Sequence, residues 1–256
     1  MINTRTHYCS KKLFVLFFFF GLISNTFSQQ DTTRILFVGN SFTYYYNLPQ
    51  VVDAMAISQG KTYYIRQSTV GGSTIEQHWK SEKGTKTRTL LDQYTWDYIV
   101  FNHHSLATID SPESFLEYSK KFVELVRQKR AKPIFMETWA YKANPLMIHT
   151  ISKAYEELGV TLNVDIVPCG KLIAEVRKWR PDIELFADPK HPSYNGTYLL
   201  GLAFTKYFTG QKTTKIPERL TTKDINGELL YLMFMPEDDA DFLQQLVDDY
   251  PFNTRK

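Results

Sequence analysis

The sequence predicts an α/β fold built on a five-stranded, mostly parallel sheet with helices on both faces. Two observations predict it. Short apolar, β-rich runs alternate five times with longer segments of helical period. No internal repeat and no linker suggests a second domain.

Ile35-Leu36-Phe37-Val38 is the first buried strand, and the next helix carries Leu48, Val51, Val52 and Met55 on one face. Tyr63-Tyr64-Ile65 begins a second strand that runs out at Val70-Gly71-Gly72. Tyr98-Ile99-Val100-Phe101 is a third. Ser111-Pro112-Glu113 reads as an N-cap, a proline at the first helical position and an acid. The helix it opens has Phe115, Phe122, Leu125 and Val126 as its buried stripe. Pro133-Ile134-Phe135-Met136 is the fourth strand. Ile148, Ile151, Tyr155 and Leu158 form the next helix face, closed by Gly159. Val164 to Val167 is the fifth strand, and the helix carrying Leu172, Ile173, Val176 and Trp179 is stopped by Pro181. The last strong helix runs from about Ser193 to Phe208 and is apolar on most sides, which predicts burial. Beyond Gly210 the pattern is weak, and Asp238-Asp239-Ala240-Asp241 reads as a solvated helix start. Right-handed crossovers favour a flavodoxin-like strand order, with sites at the carboxyl ends of the strands. Ser41, Gly72, Asn102 and Glu137 all fall just past predicted strand ends.

The first 28 residues read as a leader and not as part of this fold. Arg5, Lys11 and Lys12 precede an apolar run from Leu13 to Ile23, and Thr26-Phe27-Ser28 offers small residues for cleavage. The run is short for a bilayer span of about 20 residues. A secreted or periplasmic domain of residues 29–256 is therefore expected, with its core at about 34–208 and a C-terminal extension at 209–256. The full chain has 30 basic and 27 acidic residues; the leader holds three basic and no acidic ones, so 27 of each sign remain. That balance gives no electrostatic reason to bind nucleic acid, and no stable membrane insertion is expected after cleavage. Cys9 goes with the leader and precedes the apolar run, which is the wrong place for a lipoprotein anchor. Cys169 is then alone and reads as a small buried residue.

Gly39-Asn40-Ser41-Phe42 follows the first strand, and Asp188-Pro189-Lys190-His191 lies far downstream. Serine is a weak nucleophile until a base takes its proton. Gly39 permits a tight turn, and backbone N–H groups beyond Ser41 would meet a developing oxyanion. His191 is the candidate base. Asp188, three residues earlier, can hold one ring nitrogen and leave the other for Ser41, while Pro189 and Pro192 stiffen the turn. Gly71-Gly72-Ser73 and Asn102-His103-His104-Ser105 supply further donors at the same sheet end. His103 and His104 point to opposite sides of an extended segment, a poor chelating pair, so no metal is expected.

With these four elements in order, the chain resembles the SGNH (GDSL-like) hydrolase superfamily, and in particular secreted members whose first block reads GNSFT and whose last reads DxxHPS. The resemblance covers about Arg34 to Phe208. It implies a three-layer α/β/α sandwich and ester hydrolysis without a metal or other cofactor. It also implies Ser41 as nucleophile, His191 as base and Asp188 as its orienter. The oxyanion donors it implies are the Ser41 and Gly72 N–H groups and a side chain of the third block, where either Asn102 or His104 fits. The first block has Asn40 where the best-known motif has Asp.

Export and the aromatic residues Tyr44, Tyr45, Tyr46, Trp79, Trp139 and Tyr141 favour an O-acylated carbohydrate as substrate over a cytoplasmic metabolite; a small-molecule ester is the other option. A non-catalytic carbohydrate-binding protein on the same fold, or a transacylase, are the rival readings.

Overall fold

A computed structural model describes Met1 and residues 32–252, so the predicted leader's apolar run and Cys9 lie outside the described residues. In chain order the elements are β1 (Thr33–Gly39), α1 (Ser41–Tyr44), α2 (Leu48–Ser58), β2 (Tyr63–Thr69), α3 (Ile75–Lys80) and α4 (Thr87–Gln93). Then come β3 (Tyr98–Asn102), α5 (Ala107–Asp110), α6 (Pro112–Gln128), β4 (Lys132–Met136), α7 (Met147–Leu162), β5 (Asp165–Val167) and α8 (Cys169–Trp179). The chain finishes with α9 (Tyr194–Thr209), β6 (Arg219–Lys223), β7 (Leu229–Phe234) and α10 (Glu237–Asp249).

The main sheet has the order β2-β1-β3-β4-β5, and every pairing in it is parallel. That is the flavodoxin-like order. β1 shows why the sheet needs cover on both faces. Ile35 and Phe37 enter one apolar cluster with α2, α8, α9 and α10. Leu36 and Val38, which alternate with them, enter a second cluster with residues of α3, α4, α6 and α7. All four are at most 1% exposed, and burying each such side chain contributes roughly 1.5–3 kcal/mol.

Several local expectations are corrected. Gly159 does not close α7; the helix continues to a left-handed cap at Asn163 (φ 50°). Gly159 instead lets β5 approach, since a Cβ there would lie 3.2 Å from Ile166 Cγ1. Ser111 is the N-cap of α6 by position, but its side chain makes no capping hydrogen bond, and the one-turn α5 precedes it. Trp179 is exposed, its indole N–H donating to Glu175. The apolar core does not stop at Phe208. Leu220, Leu232, Met233, Met235, Leu243 and Val247 are buried in the same cluster as Ile35. The β6–β7 hairpin and α10 thus complete the layer over α2 and α9. α10 does begin with acids, Glu237, Asp238 and Asp239.

Candidate active site

The carboxyl end of β1 sets the position of Ser41. Asn40 is the N-cap of α1, its side-chain oxygen accepting the Phe42 N–H at 3.1 Å. Ser41 therefore occupies the first helical position, where its N–H has no intrahelical acceptor. The carbonyl of Gly39, one residue upstream of Asn40, is met by the Val70 N–H at 3.1 Å, the Ser73 hydroxyl at 3.0 Å and His78 Nε2 at 3.0 Å. A side chain at Gly39 would strike Asn102 and Thr43 at 2.8 Å, so only glycine lets the first and third blocks meet.

His191 and Asp188 come from the loop between α8 and α9. Asp188 has two tasks. Its Oδ1 accepts the backbone N–H groups of Lys190 and His191 at 2.9 and 2.8 Å, closing the turn. Its Oδ2 lies 2.6 Å from His191 Nδ1. On the other side of the ring, His191 Nε2 lies 2.8 Å from Ser41 Oγ. Partial desolvation works to raise the Asp188 pKa, but the His191 and Lys190 N–H groups and the His191 ring outweigh it and hold the group down to about 2. The turn is anchored from outside as well. The Trp139 indole donates to the Lys190 carbonyl at 2.8 Å, and the Lys142 N–H to the Pro189 carbonyl at 2.8 Å. Ser193 then caps α9 by accepting the Gly196 N–H at 3.1 Å.

Gly72 lies at the third position of a turn closed by the Ser73 N–H on the Val70 carbonyl, with φ 62°. That is the type II geometry, which requires a positive φ there. Gly72 is exposed, and no described residue takes its N–H.

The third block divides its work between neighbours. Asn102 is 1% exposed. Its oxygen accepts from the Thr43 hydroxyl at 3.2 Å and the Asn40 N–H at 3.4 Å, and its amide donates to the His103 carbonyl at 2.9 Å. Asn102 is thus a buried strut beneath the Ser41 turn. His103 is also buried, its Nε2 2.8 Å from the Ser119 hydroxyl. Burial pushes its pKa down to about 3. His104 faces outward and is half-buried. Its Nδ1 lies 3.5 Å from the Leu106 N–H, a long contact. Burial first, then the Lys190 and Lys83 charges, lower the His104 pKa, and Asp110 opposes them. The Lys83 ammonium also donates to the Gly72 carbonyl at 3.3 Å, so His104 lies in the neighbourhood shared by the Gly72 turn and the His191 loop.

The other candidates find structural roles. Glu137 accepts the Lys171 N–H at 2.9 Å and so caps α8, whose N-cap residue, Pro168, offers no side-chain bond. Burial raises its pKa. Cys169 is buried and free; burial and then the Glu137 charge push its thiol well up, away from the reactive thiolate. Among the described residues no group of three His, Cys, Asp or Glu side chains could hold a metal ion. Trp139 is fully buried, stacked on Phe42 at 4.2 Å, and Trp79 packs on Phe122 in the second cluster, so neither is a platform for substrate. Tyr44, Tyr45 and Tyr46 are only partly buried; Tyr45 lies against His191, with Tyr44 and Tyr46 on either side of it. A cavity of about 360 Å³ lined by Glu137, Tyr155 and Lys171 contains no residue of the Ser41–His191–Asp188 group.

Sequence reasoning missed the second tier of the site. His78, on the short α3 that Thr74 and Gln77 open with a capping box, is fully buried between Gly39, Ser73 and Thr87. The T-x-x-Q spacing was the available signal for that helix.

No family model matches the sequence, and no curated protein matches it. Solved structures do. A DUF4886 family protein from Bacteroides uniformis superposes with a TM-score of 0.69 at 19% identity, covering 86% of this chain and 94% of that one. A protein from Slackia heliotrinireducens, described as an SGNH hydrolase, gives 0.60 at 21% identity over 70% of this chain and 100% of its own. An acetylxylan esterase from Geobacillus stearothermophilus gives 0.53 at 15% identity over 69% and 94%. With its parallel β2-β1-β3-β4-β5 sheet and helices on both faces, this chain has the fold of the SGNH, GDSL-like hydrolase superfamily.

Proposed function

We propose that this protein is a serine esterase that removes acetyl or other short acyl groups from carbohydrates outside the cytoplasm. One observation carries the reading: Ser41 Oγ, His191 and Asp188 form a continuous chain of contacts at 2.8 and 2.6 Å. In that arrangement Asp188 fixes the Nδ1–H tautomer, and His191 Nε2 takes the Ser41 proton as Oγ attacks the ester carbonyl. The oxyanion rests on the Ser41 and Gly72 N–H groups, with His104 Nε2–H as the side-chain donor. His191 then protonates the leaving alcohol and activates the water that frees the acyl-enzyme.

The esterases among the structural neighbours support ester chemistry in general. Two of them carry an acetylxylan esterase activity in their names, which supports an acetylated glycan as the substrate class. The basic and apolar leader at residues 1–28 supports export.

Hydrolysis of p-nitrophenyl acetate by the parent, Ser41→Ala and His191→Ala tests the mechanism. The parent is expected to turn over, and each variant to lose about 10⁴-fold or more in kcat. Unchanged turnover in Ser41→Ala would end the proposal. Acetate release from a panel of O-acetylated glycans tests the substrate class, and release from none of them would count against it.

A further inference from the structure

We propose that Tyr45 is a positioning residue for His191, a role that rests on the esterase reading above. The two in-plane contacts of the imidazole fix its edges but not its faces. Tyr45 covers one face: the ring centroids are 4.2 Å apart and the planes lie 6° from parallel. Phe42 meets the same ring edge-on at 5.7 Å and 86°. Both aromatic residues belong to the segment that carries Ser41, so the nucleophile's own turn holds its base.

The backbone on the far side of Tyr45 is strained. Tyr46 sits at φ 46°, ψ 33° and Asn47 at φ 55°, ψ 46°. Two successive left-handed residues, neither of them glycine, are unfavourable, and such strain persists only where surrounding contacts enforce it. The enforcing contact is visible: the Tyr46 ring packs on Tyr194, the first residue of α9, at 4.0 Å. The strained pair breaks the chain between α1 and α2, and Tyr45 sits at the break, parallel to the imidazole.

The chemistry favours this placement. His191 becomes an imidazolium as Ser41 attacks, and the electron-rich face of a phenol ring attracts a cation more than a neutral ring. The contact therefore strengthens on the way to the transition state and acts on kcat, not on ground-state binding.

The test uses Tyr45→Phe, Tyr45→Leu and Tyr45→Met, with two readouts. Kinetics on p-nitrophenyl acetate should leave Tyr45→Phe within about twofold of the parent, since the ring is kept. Tyr45→Leu and Tyr45→Met should lower kcat about tenfold with KM changed less than about twofold. In the low-field proton NMR spectrum, the His191 Nδ1–H resonance, assigned by its absence from His191→Ala, should stay sharp in the parent and Tyr45→Phe. It should broaden by solvent exchange in Tyr45→Leu and Tyr45→Met. Parent-like kcat and a sharp resonance in both aliphatic variants would overturn the proposal. A change in KM alone would overturn it too, because it would make Tyr45 a substrate contact. If the parent hydrolyses no ester, the esterase reading fails and the resonance by itself decides the role of Tyr45.

Discussion

Asn40 donates from a single buried amide to two carbonyls, Ser73 at 3.1 Å and His103 at 3.2 Å, which belong to the second and third blocks. Its oxygen meanwhile caps α1. The residue beside Ser41 is thus the knot that ties three strand ends together, and the amide suits the task because only it offers two donors and an acceptor. Asn40→Asp would bring the first block closer to the best-known motif, yet it replaces the donating nitrogen with an oxygen facing two carbonyls. A protonated carboxyl could serve only one of them. The expected cost is about 2–4 kcal/mol of stability, with a fall in kcat. Urea unfolding and ester kinetics would check this, and a variant as stable and active as the parent would refute the assignment. Little of this was legible in the sequence. Ser41, Asp188 and His191 could be singled out because a serine on a strand-end turn and a downstream Asp-x-x-His are the residue types that could meet there. Asn102 and His104 could not be told apart, because the strand pattern does not say how the chain turns beyond β3; the structure puts Asn102 at the buried end of β3 against Thr43 and Asn40, and His104 two residues past it.

At the scale of elements, α9 and the loop before it share one constraint. A Cβ on Gly196 would lie 2.3 Å from the Leu185 carbonyl oxygen and 3.2 Å from Pro192 Cβ. The Leu185 carbonyl also accepts the Ser193 N–H at 2.9 Å, so neither side can give way cheaply. Gly196→Ala should cost about 2 kcal/mol and lower ester turnover by moving the loop that carries Asp188 and His191. Thermal unfolding and p-nitrophenyl acetate rates report both effects, and a parent-like variant would show that the loop is more pliant than this packing implies. The long elements were readable because their periodicity follows burial: ten successive residues of α9, Gly196 to Thr205, are buried, as its nearly all-apolar sequence predicts. The short ones were not. α3 and α4 span six and seven residues, too few for a helical period to stand out. Gly159 misled for a different reason. Glycine serves both as a helix terminator and as the residue that lets another backbone close in, and sequence alone does not separate the two uses.

Across the whole molecule, the buried histidines make stability depend on pH. Burial pushes His78 down to about 4, against a backbone contact to Gly39 that works the other way, and pushes His103 down to about 3. In the unfolded chain both titrate near the ordinary 6.5. Between those values the unfolded state binds protons that the folded state refuses. Stability is therefore full above about pH 6.5 and falls as the pH drops toward 4, by at most about 1.4 kcal/mol per pH unit for each ring. Urea midpoints at pH 7.5, 6 and 5 should decline in that order, and a flat series would contradict the burial of these rings. The core has a further consequence, for the growing chain. Ile35 and Phe37 share their cluster with Leu243 and Val247, so the layer over α2 and α9 is completed by a helix made after both of them. At about 5–20 residues per second, a ribosome that has just finished α9 needs several more seconds to supply α10, and for that interval the face of α9 that packs on α10 in the finished fold is without its cover.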